Sequence, residues 1–131
     1  MADFKPAEKS KNKIKKDKFN FQTINFIENN DILNFLTKNN RNRPQIVAGF
    51  SAETKNVIKN SLQKMKSKNC DLIFANDVSR KDIGFNSDFN KVSVIDQRGK
   101  IKVIPKNRKS FIANKIAHIL LDKLLDDRNF N

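Results

Sequence analysis

The chain has 131 residues and a mass of 15.1 kDa, a length that suits one domain. Twenty-seven Lys and Arg against 14 Asp and Glu leave a formal net charge of +13, and 37% apolar residues, eleven Phe among them, suffice for a core and exclude a wholly disordered chain. No stretch reaches the roughly 18–20 consecutive apolar residues of a membrane helix. The N-terminus shows no apolar signal segment, so a cytoplasmic protein is expected.

Along the chain, the first eighteen residues hold seven Lys and three acids around Pro6, with no apolar period; they read as an extended solvated segment or a mobile loop. Phe19 to Ile27 alternates like a half-buried strand. Asn29-Asn30-Asp31 offers capping side chains before a short helix carrying Ile32, Leu33, Phe35 and Leu36, and Pro44 closes that unit. Gln45 to Phe50 is a short apolar run, Thr54 to about Lys68 has helical spacing in Val57, Ile58, Leu62 and Met65, and Asp71 to Asn76 is a second apolar run. Strand, helix, strand at this spacing predicts a right-handed βαβ unit, whose ligands bind beyond the strands' carboxyl ends at Gly49-Phe50 and Asn76-Asp77. Val78 to Asn90 reads as a loop. Lys91–Ile95 and Lys100–Ile104 alternate around Asp96-Gln97-Arg98-Gly99 as an antiparallel hairpin, and Ser110–Leu125 as an amphipathic helix.

Familiar catalytic sets are missing from the sequence. His118 is the one histidine and sits inside the last predicted helix, where a structural role is the simpler reading. The lone Cys70 forms neither an internal disulfide nor a zinc site by itself. Neither glycine-rich phosphate motif occurs, and a serine or cysteine triad has no obvious nucleophile near His118. The basic residues are spread along the chain with acids between them, and the aromatics are all Phe, mostly at core-like positions, so a nucleic-acid module has no specific support. Nineteen Asn and fourteen Ile accompany the lysines, a bias that an AT-rich genome produces as readily as a binding partner. On the central helix Lys64 and Lys68 border Val57 on one flank of the apolar face, while Lys55, Lys59 and Lys66 lie on the other. Periodicity does not choose between these ridges.

Five ordered motifs resemble the C-terminal part of bacterial phosphopantothenate–cysteine ligase, the synthetase half of the bifunctional coenzyme A biosynthesis flavoprotein. They are Ala2-Asp3-Phe4 with Lys13-Ile14-Lys15-Lys16; Asn30-Asp31-Ile32-Leu33, where a proline usually stands in place of Asn30; Gly49-Phe50-Ser51-Ala52-Glu53-Thr54, with Ser51 replacing an alanine; Asp71 to Val78; and Gly84 to Asn90. The resemblance covers the chain to about Leu124. It implies an α/β fold: a partial Rossmann-like parallel sheet, a C-terminal antiparallel hairpin and a terminal helix.

The resemblance further implies condensation of 4′-phosphopantothenate with L-cysteine through an acyl-cytidylate. CTP would be the co-substrate and Mg2+ would be bound through its phosphates, with no flavin in this segment. It casts Lys13 as the catalytic lysine reaching the phosphates, Asp3 as a nucleotide holder, and Asn30, Asp31, Ile32 and Leu33 as lining the nucleotide pocket. Phe50 would pack on the nucleotide, and the Lys64–Lys68 ridge would meet its phosphates. The family's preceding half is not in this sequence, so residues 1–131 are expected to be the C-terminal segment of a ligase domain. That segment would work with the missing half in cis or in trans, and as a homodimer. The competing expectations are an inactive remnant or association module and a basic nucleic-acid-binding protein.

Overall fold

The computed structural model describes residues 3–8, 24–38, 41–80, 82–84 and 86–128. The chain divides into two compact units, 1–32 and 33–131. In the first, β1 (Phe4–Pro6) pairs antiparallel with β2 (Phe26–Glu28), Lys5 opposite Ile27. Ala7 N–H donates to the Asn25 carbonyl and Asn29 N–H to that of Asp3, so the ribbon is tied at both ends. The extended reading of the lysine-rich start thus resolves into a strand at Phe4–Pro6. Residues 9–23 lie outside the described residues, and with them most of the strand predicted at Phe19–Ile27.

A seven-residue helix, α1 (Ile32–Lys38), leads into the second unit. That unit is built on one mixed sheet in the order β3-β4-β5-β6: β3 (Ala48–Glu53), β4 (Leu72–Asp77), β5 (Phe89–Asp96) and β6 (Ile101–Arg108). β3 and β4 run parallel, Phe50 opposite Phe74 and Ala52 opposite Asn76, and α2 (Val57–Lys68) makes the crossover. β5 then pairs antiparallel with β4, and β6 with β5. The hairpin is therefore part of the same sheet. It extends the sheet from the edge of β4, because Val92 and Val94 lie on the same face as Phe74 and share its core.

Local rules explain the element ends. α2 begins at Val57 rather than at Thr54 because Asn56 adopts a left-handed conformation (φ 49°), which an α-helix cannot include. It stops at Asn69, again left-handed, where the Asn69 and Cys70 amides donate to the Lys66 and Met65 carbonyls in a Schellman-like close. β3 sits three residues further along than the apolar run suggested. Its start is fixed from outside: the Asp71 carboxylate accepts from the Val47 amide (2.6 Å), from Arg43 (2.7 Å) and from Gln97 (3.0 Å).

The sheet's two faces carry separate cores. On one, α3 (Lys109–Arg128) lays Ile112, Ile116, Ile119 and Leu120 over Leu72, Phe74, Val92, Val94 and Ile104. On the other, Met65, Val57, Ile58 and Leu62 of α2, with Leu33 of α1, cover Cys70, Ile73, Ala75 and Ile95. No helix among the described residues is long and apolar enough to cross a membrane.

Candidate functional site

The parallel pair β3–β4 ends where an open α/β sheet offers its crevice, and the pleat sorts the side chains there. Gly49, Ser51 and Glu53 alternate onto the α2 face; Phe50 and Ala52 take the α3 face. A Cβ at Gly49 would lie 2.8 Å from Leu33 Cδ2, so glycine lets α1 settle against the strand. Ser51, 1% exposed, donates from Oγ to Glu53 Oε1 (2.7 Å), and Asn60 Nδ2 of α2 donates to Glu53 Oε2 (3.1 Å). These two donors, with a smaller contribution from Lys64, hold the Glu53 carboxyl below its ordinary range.

Asn60, Lys64 and Lys68 recur every four residues and so share one flank of α2. Since Asn60 reaches Glu53, that flank borders β3. Burial separates the two lysine ridges that periodicity leaves equal: Lys64 and Lys68 are half-buried, whereas Lys55, Lys59 and Lys66 are exposed. The helix runs back along the strand, so the ridge follows β3 from its carboxyl end toward its start.

On the other face Phe50 is 63% exposed, with its ring centroid 5.2 Å from that of buried Phe74. Two residues beyond Phe74 and opposite Ala52 is Asn76, whose Oδ1 is buried without a hydrogen-bond partner among the described residues. Leu33, Lys64 and Lys68 therefore share one face of the sheet and Phe50 lies on the opposite one. A ligand touching both sets must pass the outer edge of β3, which has one strand neighbour, β4, among the described residues.

Asp3, Asn30, Asp31 and Ile32 belong to the first unit, where Asp3 and Asn30 flank the tie between the Asn29 amide and the Asp3 carbonyl. Lys13 lies outside the described residues. Asn76 stands at one of the strand ends where a ligand was expected from sequence, whereas Glu53 and Asn60 were not singled out. Glu53 lies inside a quoted motif, and strand parity with Gly49 and Ser51 was the signal that could have found it. His118 is exposed on α3 with Nδ1 2.7 Å from the Asn114 carbonyl oxygen, a contact within the helix.

The loop after β4 is tied down by charge. Ser79 donates from its hydroxyl and amide to Asp77, depressing the Asp77 pKa. Arg80 and Lys106 both pair with Asp82 and hold it far below the usual carboxylate range. Two concavities accompany these elements. One of about 340 Å³ is lined by Asp88, Phe89, Arg108, Lys109 and Ser110. The other, about 170 Å³, lies between the start of α2, Arg80, Ile83 and Lys91. Among the described residues no group of three or more His, Cys, Asp or Glu is placed to hold a metal ion.

Residues 1–124 match the family described as the DNA/pantothenate metabolism flavoprotein C-terminal domain. The chain is 40% identical over 121 residues to the Coenzyme A biosynthesis bifunctional protein CoaBC of Borreliella burgdorferi, covering 92% of this chain and 30% of that protein. It is 39% identical over 134 residues to the protein of the same name from Escherichia coli, covering 98% and 32%. The chain thus spans about a third of the length of these relatives. Among solved structures, the C-terminal domain of a Coenzyme A biosynthesis bifunctional protein CoaBC superposes with a TM-score of 0.63 at 28% identity, over 79% of this chain and 46% of that one.

These findings correct three expectations. The matched family is described as a flavoprotein, and neither that description nor the relatives' names mention a ligase, CTP or magnesium. The expected CTP-dependent phosphopantothenate–cysteine ligase, its enzyme class, and the set of Mg2+ and CTP without flavin therefore do not stand. A flavin ring needs an enclosed, mostly apolar cleft, and the two concavities are lined in large part by charged and polar side chains, so they do not fit one. The α/β fold, its sheet continued by the hairpin and closed by the terminal helix, agrees with these neighbours. The chain belongs to the DNA/pantothenate metabolism flavoprotein C-terminal domain family.

Proposed function

We propose that this chain supplies one wall of a binding site for a phosphate-bearing small molecule of coenzyme A biosynthesis, acting with the remaining part of a protein of the CoaBC kind in cis or in trans. The observation that carries this reading is the half-buried Lys64–Lys68 ridge along β3. Partly buried ammonium groups are screened less than exposed ones and bind phosphate oxygens as point charges. Phe50 presents a ring at the opposite side of the same strand edge, and Leu33 adds apolar surface beside the ridge. A phosphorylated pantothenate derivative and a nucleotide are the two kinds of ligand this chemistry suits.

The test is calorimetric titration of the 131-residue chain with 4′-phosphopantothenate and with a nucleoside monophosphate, AMP, repeated on the Lys64→Gln, Lys68→Gln double variant. Binding of at least one of these, weakened about tenfold or more in the double variant at unchanged thermal stability, supports the reading. Absence of binding to both, or affinity untouched by the double substitution, overturns it. Tight binding of random RNA with a steep salt slope and no preference for either small molecule would also overturn it.

A further inference from the structure

The carboxylate of Glu53 is gripped from two sides, by Ser51 Oγ on its own strand (2.7 Å) and by Asn60 Nδ2 on α2 (3.1 Å). The Asn60 amide is itself oriented, since its Nδ2 also donates to the Lys55 carbonyl (3.1 Å). Asn60 and Lys64 are one turn apart, with Cβ atoms about 5–6 Å from each other. The group that holds the carboxylate therefore stands one helical turn before Lys64, whose charge acts on the Glu53 carboxyl. Among the described residues no ion pair joins Glu53 to Lys64. Two opposite charges thus sit close together, one of them tied to neutral donors instead of to its counterpart.

We propose that Glu53 is a positioning residue for phosphate recognition: the resting counter-charge of Lys64, kept out of a direct pair by Ser51 and Asn60 so that the ammonium stays open to an anionic ligand. A direct Glu–Lys pair would have to be broken before phosphate could take the ammonium. The two neutral donors satisfy the carboxylate and remove that competition, while its charge still draws Lys64 to the β3 flank. The inference rests on the reading that Lys64 meets phosphate.

The experiment measures the affinity of inorganic tripolyphosphate for the 131-residue chain by calorimetry in a double-mutant cycle. Asn60→Ala frees the carboxylate to pair with Lys64 and is expected to weaken binding about 3- to 10-fold. The same substitution is expected to have almost no effect in a Lys64→Gln background, and likewise in a Glu53→Gln background. A merely structural Asn60 would weaken binding equally in all three, and that result overturns the inference, as does an unchanged affinity of Asn60→Ala alone. Should Asn60→Ala not fold, Glu53→Gln alone decides: binding about 3- to 10-fold tighter supports the inference, and unchanged or weaker binding overturns it. If the unsubstituted chain does not bind tripolyphosphate, or Lys64→Gln binds as tightly, the phosphate reading falls and this inference with it. The two failures are therefore separable.

Discussion

The two faces of the sheet are built from different materials. The α3 face is aliphatic and aromatic at its centre, with Phe74, Leu72, Val92, Val94 and Ile104 under Ile112, and Asn76 is its polar exception at the strand end. The α2 face has a comparable apolar centre in Met65, Ile73 and Ile95, but along β3 it changes character into Ser51, Glu53, Asn60 and the lysine ridge. Apolar contact is non-directional and is indifferent to what binds nearby. Polar groups inside a fold need partners, and those partners hold them in fixed places. One face therefore mainly supplies stability, and the other carries most of the groups with chemistry to offer. They meet at the outer edge of β3.

The sharpest way to break that contrast is Phe74→Ala, which opens a cavity in the α3 face. It should cost about 3–5 kcal/mol, read by urea denaturation. Substitution of Asp71 by Ala comes next. It strips the Val47 amide, Arg43 and Gln97 of their shared acceptor, and should cost about 2–4 kcal/mol in the same measurement. Gly49→Ala should follow at about 1–3 kcal/mol, because the new methyl meets Leu33. Leu33→Ala in the same chain should recover part of that loss, and full additivity would show that the contact is not the cause.

The charged edge should behave in the opposite way. Joint replacement of Lys64 and Lys68 by Gln should shift stability by no more than about 0.5 kcal/mol while removing most phosphate affinity. A large stability loss would erase the distinction between the faces. The smallest effect is the acid limb. The Glu53 pKa is depressed in the folded chain, so its contribution is fully present above the unfolded value, near 4.5, and fades as pH falls through the folded one. Ser51→Ala should move the Glu53 carboxyl titration, followed by NMR, back toward its ordinary range.

Periodicity and turn chemistry made most of the elements readable. A βαβ unit, a hairpin around Asp96–Gly99 and a terminal helix follow from alternation of two and spacing of 3.6, and all three are present. Element ends were less legible. Asn56 and Asn69 take left-handed conformations that nothing in the apolar pattern announces, and β3 is placed by the side chain of Asp71, 24 residues on from Val47. The ordered motifs pointed to a family of pantothenate metabolism but not to the right chemistry, because a motif records ancestry and does not by itself specify a reaction.

For the candidate site the sequence by itself determined which residues share a face within one element: Lys64 with Lys68, Gly49 with Ser51 and Glu53. Only the tertiary structure decided which lysine ridge is half-buried, and that Phe50 points away from it across the strand. The reason is geometric. Period alone sets the angle between side chains on one helix or strand, but the face that turns inward depends on what is packed against it. Here that was settled by α2 lying on one side of β3 and Phe74 on the other.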